Sequence, residues 1–509
     1  MAEPMHPRDY RQDSRPAIIM AGSGQAVSFA ELDERANRVA HLLRARGLRP
    51  GDRVALWIDN SPHYHEIAWG AYNAGLLFVP ISTRLKADEA AYIVRDSGAT
   101  LLFASPSVDH DGIATLLGAD VELLLLGDSY DRAIAPLPAT PIPDETRGSA
   151  MVYSAGTTGR PKGITPHLIP APIGAPHPLT ATLVDLFQLD RDTVYLSPAP
   201  LYHTAPLKWT MAVQQAGGTA IIMETFDAAA ALRALQTYRV THSQWVATMF
   251  VRMLQLDPDQ RRFDDSAHRF AIHSAAPCPV PVKDAMMDWW GPILHEYYGG
   301  SESVGQTAIG PQEWLQRKGS VGRATRGILH IVDDDGRELG AGQTGLVMFE
   351  GCGGFAYHND PDKTGRAYDA RGWATFGDIG HVDADGYLFL TDRRDYVINA
   401  GGVNIYPQET ENLLSTHPAV QDVAVFGIPN PEYGEEVKAV VQPRDLALVG
   451  PALADELIGW CRERLATNKC PRSIDFEADM PREPTGKLLK RLLKARYWPA
   501  SSGEAHVRA

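Results

Sequence analysis

A chain of 509 residues exceeds what one hydrophobic core usually serves, so at least two domains are expected. With 44% hydrophobic and 22% charged residues, the composition is globular and excludes a largely disordered protein. The net charge of −14, from 48 basic and 62 acidic side chains, disfavours nucleic acid as a partner, so any anionic ligand must be caught by local positive clusters.

From the N-terminus, Ser28-Phe-Ala-Glu31 has capping-box spacing, and Leu32, Ala36, Val39, Ala40 and Leu43 follow at helical period up to Gly47. Residues 53–58 read as a buried strand, 63–73 as a helix, 76–79 as a short apolar run, 87–96 as a helix and 100–104 as a strand. Strands alternating with amphipathic helices imply a mostly parallel sheet covered on both faces. The alternation resumes at 193–197 (strand), 208–215 (helix), 219–223 (strand) and 228–238 (helix), after a proline-rich stretch, 163–178, that reads as a loop. Near 329 the pattern changes to short strands, 328–332, 345–349 and 386–391, separated by Gly and Asp turns. Beyond 395 comes an α+β pattern: helix 408–416, strands 422–426 and 437–441, helix 451–465 and a last helix near 488–495. Lys490, Arg491, Lys494 and Arg496 on that helix read as one wet face.

The four cysteines (Cys278, Cys352, Cys461, Cys470) form no Cys-x-x-Cys pair, so neither a disulfide framework nor a zinc ribbon is indicated. No apolar signal core opens the chain and no apolar run reaches the length of a membrane span, so a cytoplasmic protein is expected.

The most informative stretch is Met151-Val-Tyr-Ser-Ala-Gly-Thr-Thr-Gly-Arg-Pro-Lys-Gly163. Its glycines let a backbone bend tightly around a ligand, and successive amide N–H groups in such a loop suit an anion. Ser154, Thr157 and Thr158 add hydroxyls, and Arg160 and Lys162 add charge, which points to a polyphosphate. It is not a Walker loop, because Pro161 stands where the second glycine of that spacing belongs. The bland alternative is a surface turn.

Four later segments stand in order after this loop: Glu296-Tyr-Tyr-Gly-Gly-Ser-Glu302, Gly372-Trp-Ala-Thr-Phe-Gly-Asp378, Asp392-Arg-Arg-Asp395 through Gly401-Gly-Val-Asn-Ile-Tyr-Pro407, and Pro481-Arg-Glu-Pro-Thr-Gly-Lys487. Together the five segments resemble the adenylate-forming superfamily, which holds acyl-CoA synthetases, peptide-synthetase adenylation domains and luciferases. The resemblance implies an α/β fold: a large N-terminal domain, 1–394, of layered mostly parallel sheets with helices plus a β-rich subdomain, and a small mobile α+β domain, 395–509. It also implies ATP, Mg²⁺ and CoA as cofactor and co-substrates, a small carboxylic acid as partner, and leaves a homodimer open.

Site roles follow from the same resemblance. Ser154, Gly156, Thr157, Thr158, Gly159 and Lys162 would hold the β- and γ-phosphates. Glu302 would hold Mg²⁺ with Thr157 or Thr158 as hydroxyl neighbour, since that ion favours carboxylate and hydroxyl oxygens. Ala275, Ala276 and Pro277 would line adenine, Tyr298 would stack on it beside Gly299 and Ser301, and Asp378 and Arg393 would take the ribose. Lys487 would reach the α-phosphate and the substrate carboxylate, which His203 flanks. Asp395 would be the hinge, and Gly401 and Gly402 would let the pantetheine arm of CoA approach. Trp209, Trp245, Ser274, Gly300 and Gly305 would wall the acyl pocket, the glycines leaving room for a medium or long fatty chain or an alicyclic, steroid-side-chain or aromatic acid.

Departures from the family pattern are Ala155 for a hydroxylated residue, Ser301 for Thr, Phe376 for Thr, Asp392 for Gly, and Ala205-Pro206 where a Gly usually follows the His203 motif. The expected activity is a stand-alone acyl-CoA synthetase. Loading of a separate carrier protein, CoA-independent oxidation and a non-catalytic acyl or nucleotide sensor are the rivals.

Overall fold

The computed structural model describes residues 6–154, 161–168, 170–175, 177–264, 266–352, 354–482 and 488–498. Cap and apolar stripe coincide at the first long helix. The Ser28 hydroxyl accepts from Glu31 N and the Glu31 carboxylate accepts from Ser28 N, which starts helix Phe29–Ala45 and turns Leu32, Ala36, Val39, Ala40 and Leu43 inward.

Two mostly parallel sheets form the large N-terminal part. One has five strands in the order Glu122–Leu125, Leu101–Ala104, Arg53–Trp57, Leu77–Pro80 and Ser149–Ala150, every pair parallel. Leu77–Pro80 and Leu101–Ala104 are buried along their whole length, as a sheet covered on both faces requires.

The second sheet has nine strands, and the three at one edge frame the site. These are β1 (Leu294–Gly299), β2 (Gln306–Ile309) and β3 (Arg323–Arg326), paired antiparallel in that sequence. Behind β1 lie the parallel strands Phe270–His273, His242–Trp245, Val194–Ser197, Thr219–Ile222 and Pro16–Met20. Helices α1 (Pro178–Phe187) and α2 (Thr204–Gln215) pack on each other through Leu183 and Phe187 against Trp209, Ala212 and Val213.

The β-rich part holds a four-stranded antiparallel sheet, Ile328–Val332, Gly345–Glu350, β4 (Asp378–Val382) and β5 (Leu388–Arg393). A three-stranded sheet joins Val152–Ser154, Lys162–Pro166 and Phe355–Tyr357. Its central strand corrects the expectation of a loop from 163 onward. Ile164 pairs with Val152 on one side and Tyr357 on the other, and packs with Val152 and Phe355, partners that local periodicity does not show.

Past 398 a separate sheet is built on the long hairpin Val420–Asn430 and Gly434–Pro443, joined by Ile398–Ala400, Val403–Ile405 and, in parallel, Ser473–Phe476. Asp392 at the end of β5 accepts a hydrogen bond from Gln408 N at 2.8 Å, tying it to the start of helix Pro407–Leu414. The last described helix is only Lys490–Lys494, and Lys490 departs from the expected wet face. It is buried and paired with Glu411 at 2.7 Å, a counter-charge on a helix distant in sequence, while Leu493 packs on Phe426 and Val440. Among the described residues no helix is long and apolar enough to cross a membrane.

Candidate active site

Three strands meet at Asp378. This residue opens β4 directly opposite Arg393, which closes β5. Arg393 Nε stands 3.2 Å from Asp378 Oδ1, and the Tyr298 hydroxyl, from the end of β1, donates to Asp378 Oδ2 at 2.6 Å. Asp378 is 7% exposed. Burial and the neighbouring Asp378 carboxylate push the Tyr298 phenol well above its usual range, so it stays a donor. Burial opposes the Arg393 charge most strongly, but Asp378, Tyr396, Tyr298 and Glu302 together outweigh it and hold the guanidinium up. The Tyr298 ring meets Phe376 edge-on at 5.5 Å and tilts against Phe349 at 6.4 Å.

Beyond β1 the chain turns through Gly300 and Glu302. The Glu302 carboxylate accepts from the Tyr357 hydroxyl at 2.9 Å. A Cβ on Gly300 would come within 2.5 Å of the Phe376 ring, and one on Gly305 within 2.1 Å of Phe349. These glycines therefore admit aromatic neighbours rather than open space, which corrects the expectation that they leave room for substrate. Gly299, whose nearest neighbour would be 3.5 Å away, is not so crowded.

The Ser301 and Thr204 hydroxyls share a hydrogen bond of 2.9 Å, which seats the N-terminus of α2 against this turn. His203 is the residue before α2; its Nε2 is buried with no hydrogen-bond partner, and burial lowers the imidazole to about 4, so it is neutral at pH 7. One helical turn after Thr204 lies Lys208, half-buried and drawn down to about 8 by burial, with Arg326 adding to the shift and Glu302 opposing it. Neither Lys208 nor Arg326 was indicated by the sequence motifs. The available signal for Lys208 was a lone lysine in the apolar run Ala205-Pro-Leu-Lys-Trp209.

Ala275 and Pro277, both exposed, and the half-buried Ala276 follow strand Phe270–His273, with Ser274 buried beneath them. Ala275 holds φ +73, a left-handed conformation that costs an alanine of order 1 kcal/mol and tends to mark functional loops. The two tryptophans expected in the acyl wall are each 1% exposed. Trp209 donates to the Tyr297 hydroxyl at 3.2 Å and Trp245 to Ser243 Oγ at 2.6 Å, so both serve the core.

Strands Val152–Ser154 and Lys162–Pro166 form a hairpin with Ser154 opposite Lys162. Gly156, Thr157, Thr158 and Gly159 lie between them and outside the described residues, as do the side chain of Ser154 and all of Lys487. Lys162 Nζ sits 3.0 Å from Asp360 Oδ2. Asp395 is exposed in the short turn Arg394–Tyr396 between β5 and the C-terminal sheet. Gly401 and Gly402, at φ +62 and +83, form the two-residue turn of hairpin Ile398–Ala400 and Val403–Ile405, a turn that requires positive φ at both places. Among the described residues no group of three or more His, Cys, Asp or Glu gathers as a metal cage. A single carboxylate such as Glu302 suits Mg²⁺, which keeps waters and takes its other ligands from substrate phosphates.

The description "AMP-binding enzyme" matches residues 7–356, and "AMP-binding enzyme C-terminal domain" matches 409–487. A feruloyl-CoA synthase of Amycolatopsis sp is 33% identical over 490 residues, covering 94% of this chain and 96% of the relative. The long-chain-fatty-acid–CoA ligase FadD13 of Mycobacterium tuberculosis is 32% identical over 500 residues, covering 94% and 95%. Among solved structures, ATP-bound MatB from Rhodopseudomonas palustris superposes with a TM-score of 0.83 at 28% identity, over 96% of this chain and 98% of that one.

Proposed function

The chain belongs to the AMP-binding enzyme family and is an acyl-CoA synthetase, and we propose that it activates its carboxylic acid between the Tyr298–Asp378–Arg393 cluster and the N-terminus of α2. A carboxylate oxygen of the acid attacks the α-phosphorus of ATP; the bond to the pyrophosphate oxygen breaks, leaving acyl-AMP. The CoA thiol then loses its proton and attacks the acyl carbon, and AMP departs with the acyl C–O bond electrons.

Asp378 accepts the ribose hydroxyls, held in place by the Tyr298 hydroxyl and Arg393. Ser274 to Pro277 supply the flat small-residue wall for adenine. His203, neutral and unpartnered at Nε2, is suited to donate to the acid's carboxylate. Ser154 to Gly159 with Lys162 take the leaving pyrophosphate, and Lys487 offsets the charge where two anions meet. Mg²⁺, held by Glu302 with Thr157 or Thr158, would neutralise phosphate charge. We place the division between the domains at 394/395, with Asp395 as pivot and the Gly401–Gly402 turn facing CoA in the second half-reaction.

The observation that carries this reading is the Asp378 carboxylate, buried and already positioned by a hydroxyl donor and a guanidinium from two other strands. A coupled pyrophosphate assay over a panel of carboxylic acids, with and without CoA, tests it. Acid-dependent pyrophosphate release and CoA-dependent AMP release are expected; ADP formation would overturn it. The named relatives differ widely in acyl group, so the acid must be read from this chain's own walls.

A further inference from the structure

Lysines buried elsewhere in this fold are given a carboxylate. Lys283 holds Glu296 at 2.6 Å, Lys438 holds Asp475 at 2.7 Å and Lys490 holds Glu411 at 2.7 Å. Lys208 and Arg326 differ. Both are half-buried, and among the described residues neither has a hydrogen-bond or ion-pair partner.

Their positions follow from helix and strand geometry. Lys208 lies four residues beyond Thr204, on the same face of α2 and about 6 Å further along its axis. Thr204 itself touches Ser301 in the turn beside Glu302. Arg326 pairs with Gln306 across β2 and β3, and Gln306 pairs with Gly299 across β1 and β2. Gly299, Gln306 and Arg326 thus form one row across the sheet edge, which sets Arg326 about 10 Å from the end of β1. From helix and sheet the two cations come near enough that Arg326, after burial, lowers the Lys208 ammonium and both lower His177.

We infer that the acid this synthetase activates carries a second anionic group, a carboxylate or a group of like charge, which Lys208 and Arg326 clamp at the far end of the acyl pocket. The inference rests on the acyl-CoA synthetase reading and names its substrate class. One turn of helix between Thr204 and Lys208 suits an acid whose anionic groups stand roughly 5–8 Å apart, as in a short dicarboxylate or a ring bearing two carboxylates. Electrostatics agree with the geometry. Burial, joined by Arg326, draws Lys208 to about 8, and the Glu302 carboxylate, which acts the other way, does not offset it. His177, at the start of α1, is lowered to about 4 by burial and then by Lys208, Arg147 and Arg326, so three cations bear on one imidazole in a protein of net charge −14. A like-charged pair in a partly desolvated pocket favours an anion between its members, and a substrate lacking one leaves both unpaired.

The test compares length-matched acids in the pyrophosphate assay: succinate, glutarate, adipate and terephthalate against butyrate, valerate, hexanoate and benzoate. The full-length enzyme should prefer at least one diacid over its matched monoacid by tenfold or more in kcat/KM. In Lys208→Met and, separately, Arg326→Met, that preference should fall at least tenfold, chiefly through KM for the diacid. Equal loss with diacid and monoacid in Lys208→Met would overturn the inference, because a lysine serving the reacting carboxylate or the phosphates would act on both alike. Turnover of monoacids in preference to every diacid would also overturn it while leaving the synthetase reading intact. Pyrophosphate release with neither set, when other acids also fail, would overturn both.

Discussion

Replacing Asp378 with asparagine keeps the shape of the side chain and removes its charge. The carboxylate is 7% exposed, accepts from Tyr298 Oη at 2.6 Å and is ion-paired with Arg393 Nε at 3.2 Å. An amide can satisfy one of them with its oxygen but must turn its NH₂ toward the other. The lost interaction is a hydrogen bond to a charged group, worth about 1.5–3 kcal/mol. A ribose hydroxyl that donates to the same carboxylate loses a similar amount. ATP should therefore bind about 10–150-fold more weakly, at 1.4 kcal/mol per factor of ten, while the fold loses about 1–3 kcal/mol. Calorimetric titration with ATP beside urea unfolding separates the two effects. Tyr298→Phe, which keeps the charge and removes one donor, should weaken ATP less than Asp378→Asn does. If Asp378→Asn loses stability yet binds ATP as tightly as the parent, Asp378 only braces the strands and its ribose role is wrong.

Other outcomes follow from the same structure. His65 and His268 are lowered to about 3, and His6, His203 and His242 to about 4, chiefly by burial. The unfolded chain binds protons near 6.5, whereas the fold does not until about 4 at three of these histidines and about 3 at the other two. Stability should be full above pH 6.5 and fall as pH drops from 6.5 to 4, and a urea midpoint constant from pH 7 to 4.5 would contradict this. Glu302→Gln retains an acceptor for Tyr357 but loses the charge proposed to hold Mg²⁺; pyrophosphate release should fall about 10²–10³-fold with a raised Mg²⁺ requirement, and an unchanged Mg²⁺ dependence would count against the assignment. Gly305→Ala should cost about 1–3 kcal/mol, because its Cβ would meet Phe349 at 2.1 Å, whereas Gly299→Ala, with 3.5 Å of clearance, should lower the melting temperature much less.

What could be read from the sequence was what is encoded locally or carried by a motif. The Ser28–Glu31 box and its apolar stripe specify helix Phe29–Ala45 without help from the rest of the fold. The continuous apolar runs at 77–80 and 101–104 announce strands buried on both faces. What could not be read depends on partners brought from afar. Ile164 becomes a strand residue only because Val152 and Tyr357 flank it, and Lys490 is dry only because Glu411 meets it. Gly300 and Gly305 carry no mark in the sequence to say whether space or an aromatic ring lies above them; Phe376 and Phe349 decide it. Lys208 and Arg326 belong to a helix and an edge strand with no motif in common, so their convergence appears only in three dimensions.

The two sides of the site are settled to different degrees. On the proposed nucleotide side, Tyr298, Asp378 and Arg393 already pair with one another. On the proposed acid side, His203 Nε2 has no partner and Lys208 and Arg326 have no hydrogen-bond or ion-pair partner among the described residues. Leaving a buried polar group unsatisfied costs about 1–3 kcal/mol, so the fold holds free energy there that the correct acid releases by bonding to those groups. A purely apolar pocket discriminates weakly between acids that differ by a methylene. A pocket that leaves its own polar groups stranded when the wrong acid enters discriminates by orders of magnitude more. On that argument, the proposed acid site would draw its selectivity from His203, Lys208 and Arg326 rather than from Trp209 and Trp245, which bond within the core.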